Sequence, residues 1–281
     1  MVQFGAHAFV WISEWSEAQA QQAALQAAEA GLDFLEIPLL HPEEINTSST
    51  RQLLKELNLG VTCSLGLPKE ASLPTMPEQA LAFLKKALAQ AEALGSPVLT
   101  GVLYSTLGEL SGHPPQEEEL DTIAHCLKQV AREAALLGLR IGLEPVNRYE
   151  TYLINTAAQG LDLLRRIDAP NVFLHLDTYH MNIEEKGFKK PILLSEKALG
   201  YIHLSESDRG TPGQGNVAWE DVFSSLQAIG YTGPLVLESF VAPNPDIARA
   251  TCIWRPVEPE PSLVIREGLP LLKTLAARYL A

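Results

Sequence analysis

The chain has 281 residues, of which 46% are hydrophobic and 20% charged, and its formal net charge is −13. This is the composition of a globular protein, and a chain of this length could form either two ordinary domains or one α/β barrel. The negative charge makes nucleic acid and anionic membranes poor partners, because both are negatively charged themselves.

The cysteines and the N-terminus indicate a cytoplasmic protein. Cys63, Cys126 and Cys252 are far apart and form no CxxC pattern, which argues against a disulfide framework and favours a reducing compartment. The first residues lack a basic segment followed by a long apolar stretch, so we expect no signal peptide. No apolar run approaches the ~20 residues of a membrane span, and we expect no membrane partner.

Short apolar runs, rich in β-forming residues, recur along the whole chain. Their length and continuity are typical of strands that are buried on both faces. The predicted strands are 3–9, 34–38, 60–67, 97–104, 140–146, 172–178, 200–206 and 234–240.

Helical patterns separate these strands. The first helix is predicted to begin at Ser16, which forms a capping-box pattern with Gln19, and to end at Gly31. The segment 116–138 is long and helical in pattern, and a later amphipathic helix stops at Gly230, in the C′ position. Each predicted strand is therefore followed by helix or loop before the next strand.

Eight alternations of strand and helix predict an α/β fold of the (β/α)₈ TIM barrel type. A doubly wound sheet is the alternative, but it usually has fewer strands and a glycine-rich turn after the first, and no GxGxxG follows the first strand here. No low-complexity linker divides the chain. The proline-rich segment 256–261 is predicted to be a loop before the last helix, so we predict a single barrel domain over residues 1–281.

Polar side chains end four consecutive predicted strands, and the chemistry of such barrels lies at the C-terminal ends of their strands. Strands five to eight end in Glu144, Asp177, His203 and Glu238, each about one βα unit from the next. Three crowded carboxylates would raise one another's pKa, and a divalent cation removes this cost. The ligand set suits Mn²⁺, Mg²⁺ or Co²⁺ better than zinc. A single acidic residue at a strand end is more often a loop start or a helix N-cap, so the hypothesis depends on all four residues.

Several long motifs resemble the ketose 3-epimerases, the D-tagatose/D-allulose 3-epimerase group of xylose isomerase-like barrels. The motifs are EPVNRYE (144–150), LDTYHMNIEE (176–185), HLSESDRGTPGQG (203–215) and LESF (237–240), and WISEW near the start and IWR (253–255) fit the same group. The resemblance covers nearly the whole chain. It implies a xylose isomerase-like TIM barrel with one divalent metal ion per subunit, usually Mn²⁺ or Co²⁺, in a homodimer or homotetramer.

The resemblance also implies roles for individual residues. The metal ligands would be the same four residues, and Glu144 and Glu238 would be the acid/base pair. Glu150, His180 and Arg209 match positions that hydrogen-bond the sugar around its first carbons and its carbonyl. The implied reaction inverts C3 of a free ketose through a cis-enediolate. A proton α to the C2 carbonyl leaves one face and returns to the other, which requires two flanking groups.

The chain departs from the family pattern where the distal carbons of the sugar would lie. His7 ends the first predicted strand, at a position that is often aromatic or apolar in the family, and is expected to add a polar contact to the substrate. Leu107 lies in a stretch that lacks the tryptophan of some members. Both departures concern the choice of sugar and not the reaction.

Two further residues and one loop have an open interpretation. Glu36 is expected to end the second strand with a structural or site-lining role, and His175 to be a satisfied interior histidine. The glycine-rich segment 209–215 is either a flexible loop or a loop that partly closes the site. It lacks the GK[ST] ending of a P-loop, which favours a free ketose over a sugar phosphate.

Three alternatives to a ketose 3-epimerase remain at this point. An aldose–ketose isomerase on the same barrel, like hydroxypyruvate isomerase or xylose isomerase, would move hydrogen between C1 and C2, and product analysis with D-fructose and D-tagatose would reveal it. A barrel nuclease needs more histidine ligands, a multi-metal cluster and a basic face, which the net charge argues against. A sugar-binding barrel without turnover is disfavoured by the intact pair of Glu144 and Glu238.

Overall fold

The computed structural model describes residues 2–240, 244–260 and 262–280, and its eight strands close into a barrel in chain order. Neighbouring strands are parallel, and the last strand pairs with the first. This closed barrel confirms the predicted fold class. The strands are β1 (Phe4–His7), β2 (Phe34–Pro38), β3 (Gly60–Leu67), β4 (Val98–Thr106), β5 (Arg140–Leu143), β6 (Val172–Asp177), β7 (Leu199–Leu204) and β8 (Leu235–Leu237).

Helices follow the strands and surround the barrel. Among the described residues, no helix combines the length and the apolar character that a membrane crossing requires. The α-helices are α1 (Glu17–Glu29), α2 (Thr47–Glu56), α3 (Pro77–Leu94), α4 (Glu117–Leu136), α5 (Ala157–Ile167), α6 (Thr178–Glu184), α7 (Lys189–Ser195), α8 (Trp219–Ala228), α9 (Pro245–Thr251) and α10 (Leu269–Tyr279). Short 3₁₀ segments lie at Ala8–Val10, Pro42–Glu44, Lys69–Ala71 and Glu196–Ala198, and a π-helical turn, Val264–Gly268, leads into α10.

Local capping chemistry determines where helix α1 begins and ends. The Ser16 hydroxyl accepts a hydrogen bond from the backbone N–H of Gln19, as the capping pattern predicts. The Gln19 side chain accepts from the backbone N–H groups of Ser13 and Glu14, not from that of Ser16. The helix ends just before Gly31, whose φ of +63° favours a residue without Cβ.

The strands β1, β5 and β8 are shorter than predicted by three residues or more, which changes where the site residues sit. After β1 the backbone turns into a 3₁₀ segment at Ala8–Val10. After β5 the chain meets Pro145, which has no N–H to continue the ladder. Glu144 and Glu238 therefore lie directly after β5 and β8, although the backbone N–H of Glu144 still donates to Gly101 of β4 at 3.1 Å.

The interior of the barrel changes character along its axis. Near the N-terminal ends of the strands it is filled by a cluster of large side chains, Phe34, Val98, Phe173, Tyr201 and Val236. The next inward-facing positions, two residues further along four of these strands, hold polar side chains instead: Glu36, Thr100, His175 and His203. Barrel interiors are usually packed with branched apolar residues. This buried polar layer therefore needs a specific explanation.

Candidate active site

The four predicted ligands meet at the C-terminal end of the barrel, and all four are buried. His203 lies in β7 and points its Nδ1 towards the other three. This nitrogen lies 3.3 Å from Glu238 Oε1, 3.7 Å from Glu144 Oε1 and 4.0 Å from Asp177 Oδ2. The structure thus brings together the residues that strand spacing selected, and their role as ligands remains a prediction.

The donors of this cluster fit a divalent cation. The Nδ1 atom of His203 is buried and makes no hydrogen bond with any residue that the structure describes. Its other ring nitrogen, Nε2, lies 3.0 and 3.2 Å from the two carboxylate oxygens of Glu36. A ring nitrogen that is held on one side and bare on the other, opposite three carboxylates, has the geometry of a histidine metal ligand.

Asp177 uses its two carboxylate oxygens for different purposes. Its Oδ1 accepts the backbone N–H of Tyr179 at 2.6 Å and caps α6, and its Oδ2 faces the cluster. The helix-cap and the ligand interpretations are therefore compatible. His180 lies inside α6, because the Asp177 cap starts a helix directly after β6.

Arg209 places its positive charge among the carboxylates. Its Nη1 donates to Asp177 Oδ2 at 2.6 Å and also to Glu238 Oε2. The guanidinium lies over the ring of Tyr179, 4.1 Å from its centroid. Arg209 has a φ of +67° and is buried, so the loop that follows β7 holds it inside the site.

Asn147 links two of the predicted sugar-binding residues, and the sequence analysis did not single it out. Its side-chain nitrogen donates to Glu150 Oε1 at 2.7 Å and lies 2.9 Å from His180 Nδ1. Its backbone N–H also donates to His180 Nδ1, at 3.1 Å. On its other side His180 Nε2 lies 3.1 Å from Nη2 of Arg209, so both ring nitrogens face hydrogen-bond donors of the protein. The only available signal was its place within the EPVNRYE motif.

Burial and crowding raise the pKa values of Glu144 and Asp177, as the sequence analysis expected, but the pKa of Glu238 is lowered. Burial raises the pKa of Glu144 well above its usual range, and the neighbouring carboxylates Glu238 and Asp177 raise it further. Burial also raises the pKa of Asp177 and of Glu150, each to about 7. Burial acts in the same direction on Glu238, but Arg209 and His203 outweigh it and hold the pKa of Glu238 well below its usual range.

A cavity of about 90 Å³ adjoins the cluster and is lined by Glu144 and Glu238. His7 also lines it, as predicted, and is buried. The His7 Nδ1 accepts the backbone N–H of Phe9 at 3.2 Å, which leaves the proton of the neutral ring on Nε2. The rest of the cavity wall is mostly apolar, with Phe9, Leu40, Leu107, Phe240 and Ile247.

The structure corrects the interpretations of His175 and Glu36. The Nδ1 of His175 lies 2.9 Å from the Thr100 hydroxyl, but its Nε2 has no partner among the described residues, so only one ring nitrogen is satisfied. Glu36 lies in the middle of β2 and not at its end, and it is completely buried. Its link to His203 crosses the barrel, which no local pattern in the sequence reveals.

The buried carboxylate of Glu206 anchors the glycine-rich loop that follows β7. The Oε1 atom accepts the backbone N–H groups of Ser207 and Val217, at 2.8 and 3.0 Å. The Oε2 atom accepts from the backbone of Gly213 and the indole of Trp219, at 2.8 and 3.0 Å. The loop that carries Arg209 therefore has four anchoring hydrogen bonds to one side chain.

The closed barrel with its rim of carboxylates and imidazole defines a protein class, the xylose isomerase-like TIM barrels, and the family model of that description matches residues 24–273. An L-ribulose 3-epimerase of Methylomonas sp. (strain DH-1) is 42% identical over 260 residues, which cover 90% of this chain and 91% of the relative. A ketose 3-epimerase of Arthrobacter globiformis is 35% identical, covering 90% of each chain. The chain belongs to the ketose 3-epimerase group of this family.

Solved structures give the same result and confirm the resemblance found in the motifs. A crystal structure of D-allulose 3-epimerase from Methylomonas sp. in complex with D-allulose matches with a TM-score of 0.93 at 39% identity, covering 97% of this chain and 96% of that chain. A structure of L-ribulose 3-epimerase matches with a TM-score of 0.93 at 31% identity, covering 99% and 97%. The similarity thus extends over the whole barrel.

Proposed function

We propose that this protein is a ketose 3-epimerase that acts on free ketohexoses or ketopentoses. The observation that carries the proposal is the bare, buried Nδ1 of His203, which faces Glu144, Asp177 and Glu238. The relatives support the reaction, since they are named L-ribulose 3-epimerase and ketose 3-epimerase, and one solved neighbour holds D-allulose.

Glu144 and Glu238 are the proposed acid/base pair. Inversion at C3 requires that a proton leave one face of the carbon and return to the other, and a single group cannot easily reach both faces. The two glutamates follow β5 and β8, which are separated by two strands of the closed barrel, so their side chains enter the cavity from different directions. One acts as carboxylate base while the other acts as neutral acid, and they exchange roles when the reaction reverses.

Three residues on one side of the site orient the reacting end of the sugar. The guanidinium of Arg209 offers hydrogen-bond donors to the carbonyl and first hydroxyl groups, the His180 imidazole lies beside it, and the Glu150 carboxylate offers an acceptor. Asn147 holds two of them in fixed positions. The mostly apolar wall of the cavity leaves His7 Nε2–H as a polar contact for the distal carbons, so His7 is proposed to influence the choice of sugar.

Glu144, Asp177, His203 and Glu238 would hold one divalent cation, for which Mn²⁺ and Co²⁺ are the first candidates and Mg²⁺ the third. Such a cation, when bound, polarises the C2 carbonyl and stabilises the negative charge of the cis-enediolate. The proposal also includes a cytoplasmic homodimer or homotetramer. Light scattering on the purified protein measures the subunit number.

The decisive experiment follows hydrogen at C3 in heavy water. Protein freed of metal and reconstituted with Mn²⁺ is incubated with D-fructose and with L-ribulose, and the products are analysed by NMR. We expect the C3 epimer of at least one sugar, with deuterium at C3. Aldose products, with hydrogen moved between C1 and C2, would instead identify an aldose–ketose isomerase, and no exchange would identify a binding protein.

The acid/base assignment is tested by Glu144→Gln and Glu238→Gln. Each change is expected to lower kcat by about 10²–10⁴-fold, because the amide can neither accept nor donate the C3 proton. Glu43→Gln, at an exposed position, is the matched control. Near wild-type turnover by either active-site variant with Mn²⁺ bound would show that the two-glutamate scheme is wrong.

A further inference from the structure

Glu36 is a carboxylate placed where the barrel should be apolar. It lies in β2 with no exposed surface, below the cluster of predicted ligands. Burying a carboxylate in a protein interior is costly unless it is paired and hydrogen-bonded. No lysine or arginine of the described residues forms a salt bridge with it. The carboxylate instead faces two histidines, with Nε2 of His203 at 3.0 Å and Nε2 of His7 at 3.9 Å.

The contacts of Glu36 form a chain across the barrel interior. Its Oε2 accepts the hydroxyl of Tyr201 at 2.5 Å, and that hydroxyl also lies 2.8 Å from the Thr62 hydroxyl. Both of its oxygens lie within 3.2 Å of His203 Nε2. Thr62 pairs with Glu36 across neighbouring strands, while Tyr201 and His203 come from β7. The carboxylate is therefore fixed from one side and directed at the imidazole from the other.

This arrangement decides which nitrogen of His203 is free. A carboxylate accepts, so Nε2 must carry the proton, and the lone pair of the neutral ring is then on Nδ1. Nδ1 is the atom that faces Glu144, Asp177 and Glu238. The orientation of the ring is set at the same time, because Glu36 holds its far end.

We propose that Glu36 is a positioning residue for the cation site, which acts through His203. It holds the imidazole in the tautomer and orientation that present Nδ1 to a divalent cation, and its negative charge increases the basicity of that nitrogen. Tyr201 and Thr62 support Glu36 in turn. This inference rests on the cation site of the proposed function and extends it to residues that do not touch the cation or the sugar.

The test measures Mn²⁺ affinity directly, by EPR detection of free Mn²⁺ in titrations of metal-free protein. For Glu36→Gln we expect a Kd that is about 10–100-fold higher than in wild type, the usual cost of losing such a partner. For Tyr201→Phe, which keeps the ring and removes one hydrogen bond to Glu36, we expect a smaller rise. Glu43→Gln is the control and should leave the Kd unchanged.

A second measurement separates positioning from a purely structural role. The unfolding midpoint of each metal-free protein shows how much the substitution affects the fold alone. A lower midpoint with an unchanged Mn²⁺ Kd would overturn the proposal and leave the cation site intact. If Glu36→Gln does not fold, the Mn²⁺ Kd of Tyr201→Phe tests the proposal instead. It is combined with ¹⁵N NMR of histidine-labelled, Mg²⁺-bound wild-type protein, which shows which ring nitrogen of His203 carries the proton. A His203 ring protonated on Nδ1 would overturn the proposal.

The outcome also distinguishes this inference from the proposed function. If the wild-type protein binds Mn²⁺, the cation site is supported. The ratio of the variant Kd to the wild-type Kd then tests the positioning role of Glu36. Wild-type protein that binds no Mn²⁺ at millimolar concentration would overturn both.

Discussion

Replacement of Glu206 by glutamine should loosen the loop that carries Arg209, although the two side chains have the same shape. Each carboxylate oxygen accepts two N–H groups, one fully buried and one partly buried. The glutamine amide must turn its NH₂ towards one of these pairs, so two donors lose their acceptor and meet another donor. A buried N–H without a partner costs about 1–3 kcal/mol, and a partly buried one costs less. We therefore expect the free energy of unfolding to fall by about 2–4 kcal/mol.

Equilibrium urea unfolding of Glu206→Gln measures this loss, and limited proteolysis locates it in the loop. Trp219→Phe is the milder variant for comparison, because it removes one of the four donors and keeps an aromatic ring. We expect it to lower the free energy of unfolding by about 1 kcal/mol. Exposed Glu43→Gln should stay within about 0.5 kcal/mol of wild type. A change of less than 1 kcal/mol for Glu206→Gln, with the loop still resistant to protease, would refute the reasoning.

Three further predictions concern the site and its surroundings. The pKa of Glu150 is about 7 in the folded protein, above its ordinary value, so its proton stabilises the fold at low pH and this contribution disappears as pH rises through about 7. The metal-free wild type should therefore lose stability relative to Glu150→Gln between pH 5 and pH 8, and a difference independent of pH would contradict this. Asn147→Ala should lower kcat/KM by about 5–30-fold, because His180 and Glu150 lose their common donor, and steady-state kinetics beside a melting curve checks it. Gly101→Ala should cost at least about 1–3 kcal/mol in urea unfolding, because its φ is +110° and a Cβ would collide with the backbone of Leu65; a near-neutral change would argue against that geometry.

The helix boundaries and the cluster of ligands show how far local patterns extend. The start of α1 at Ser16 follows from a cap that involves neighbours in sequence, and the structure confirms it. Glu144, Asp177, His203 and Glu238 were selected because each follows or ends an apolar run, and parallel strands bring their C-terminal ends to one rim. Both predictions depend only on the period of the strands and on short-range chemistry.

Other features of the site depend on contacts between distant parts of the chain. The bond from Glu36 to His203 joins residues 167 positions apart, and that from Arg209 to Asp177 joins residues 32 apart. The role of Asn147 is evident only from the structure, in which α6 brings His180 against the loop after β5. The lengths of β1, β5 and β8 also differed from the apolar runs, since the backbone turns into a 3₁₀ segment after β1 and Pro145 follows closely after β5.

The sequence by itself determined the barrel, the family and the four residues at the rim, because alternating apolar runs and the polar residues that follow them are local signals. Only the tertiary structure decided how those residues are held: which oxygen of Asp177 caps a helix, which nitrogen of His203 is bare, and which buried carboxylates fix the ring and the loop. Hydrogen bonds across a closed barrel have no period and no fixed spacing in the chain. They therefore cannot be predicted from local sequence patterns and are known only once the arrangement of the strands is known.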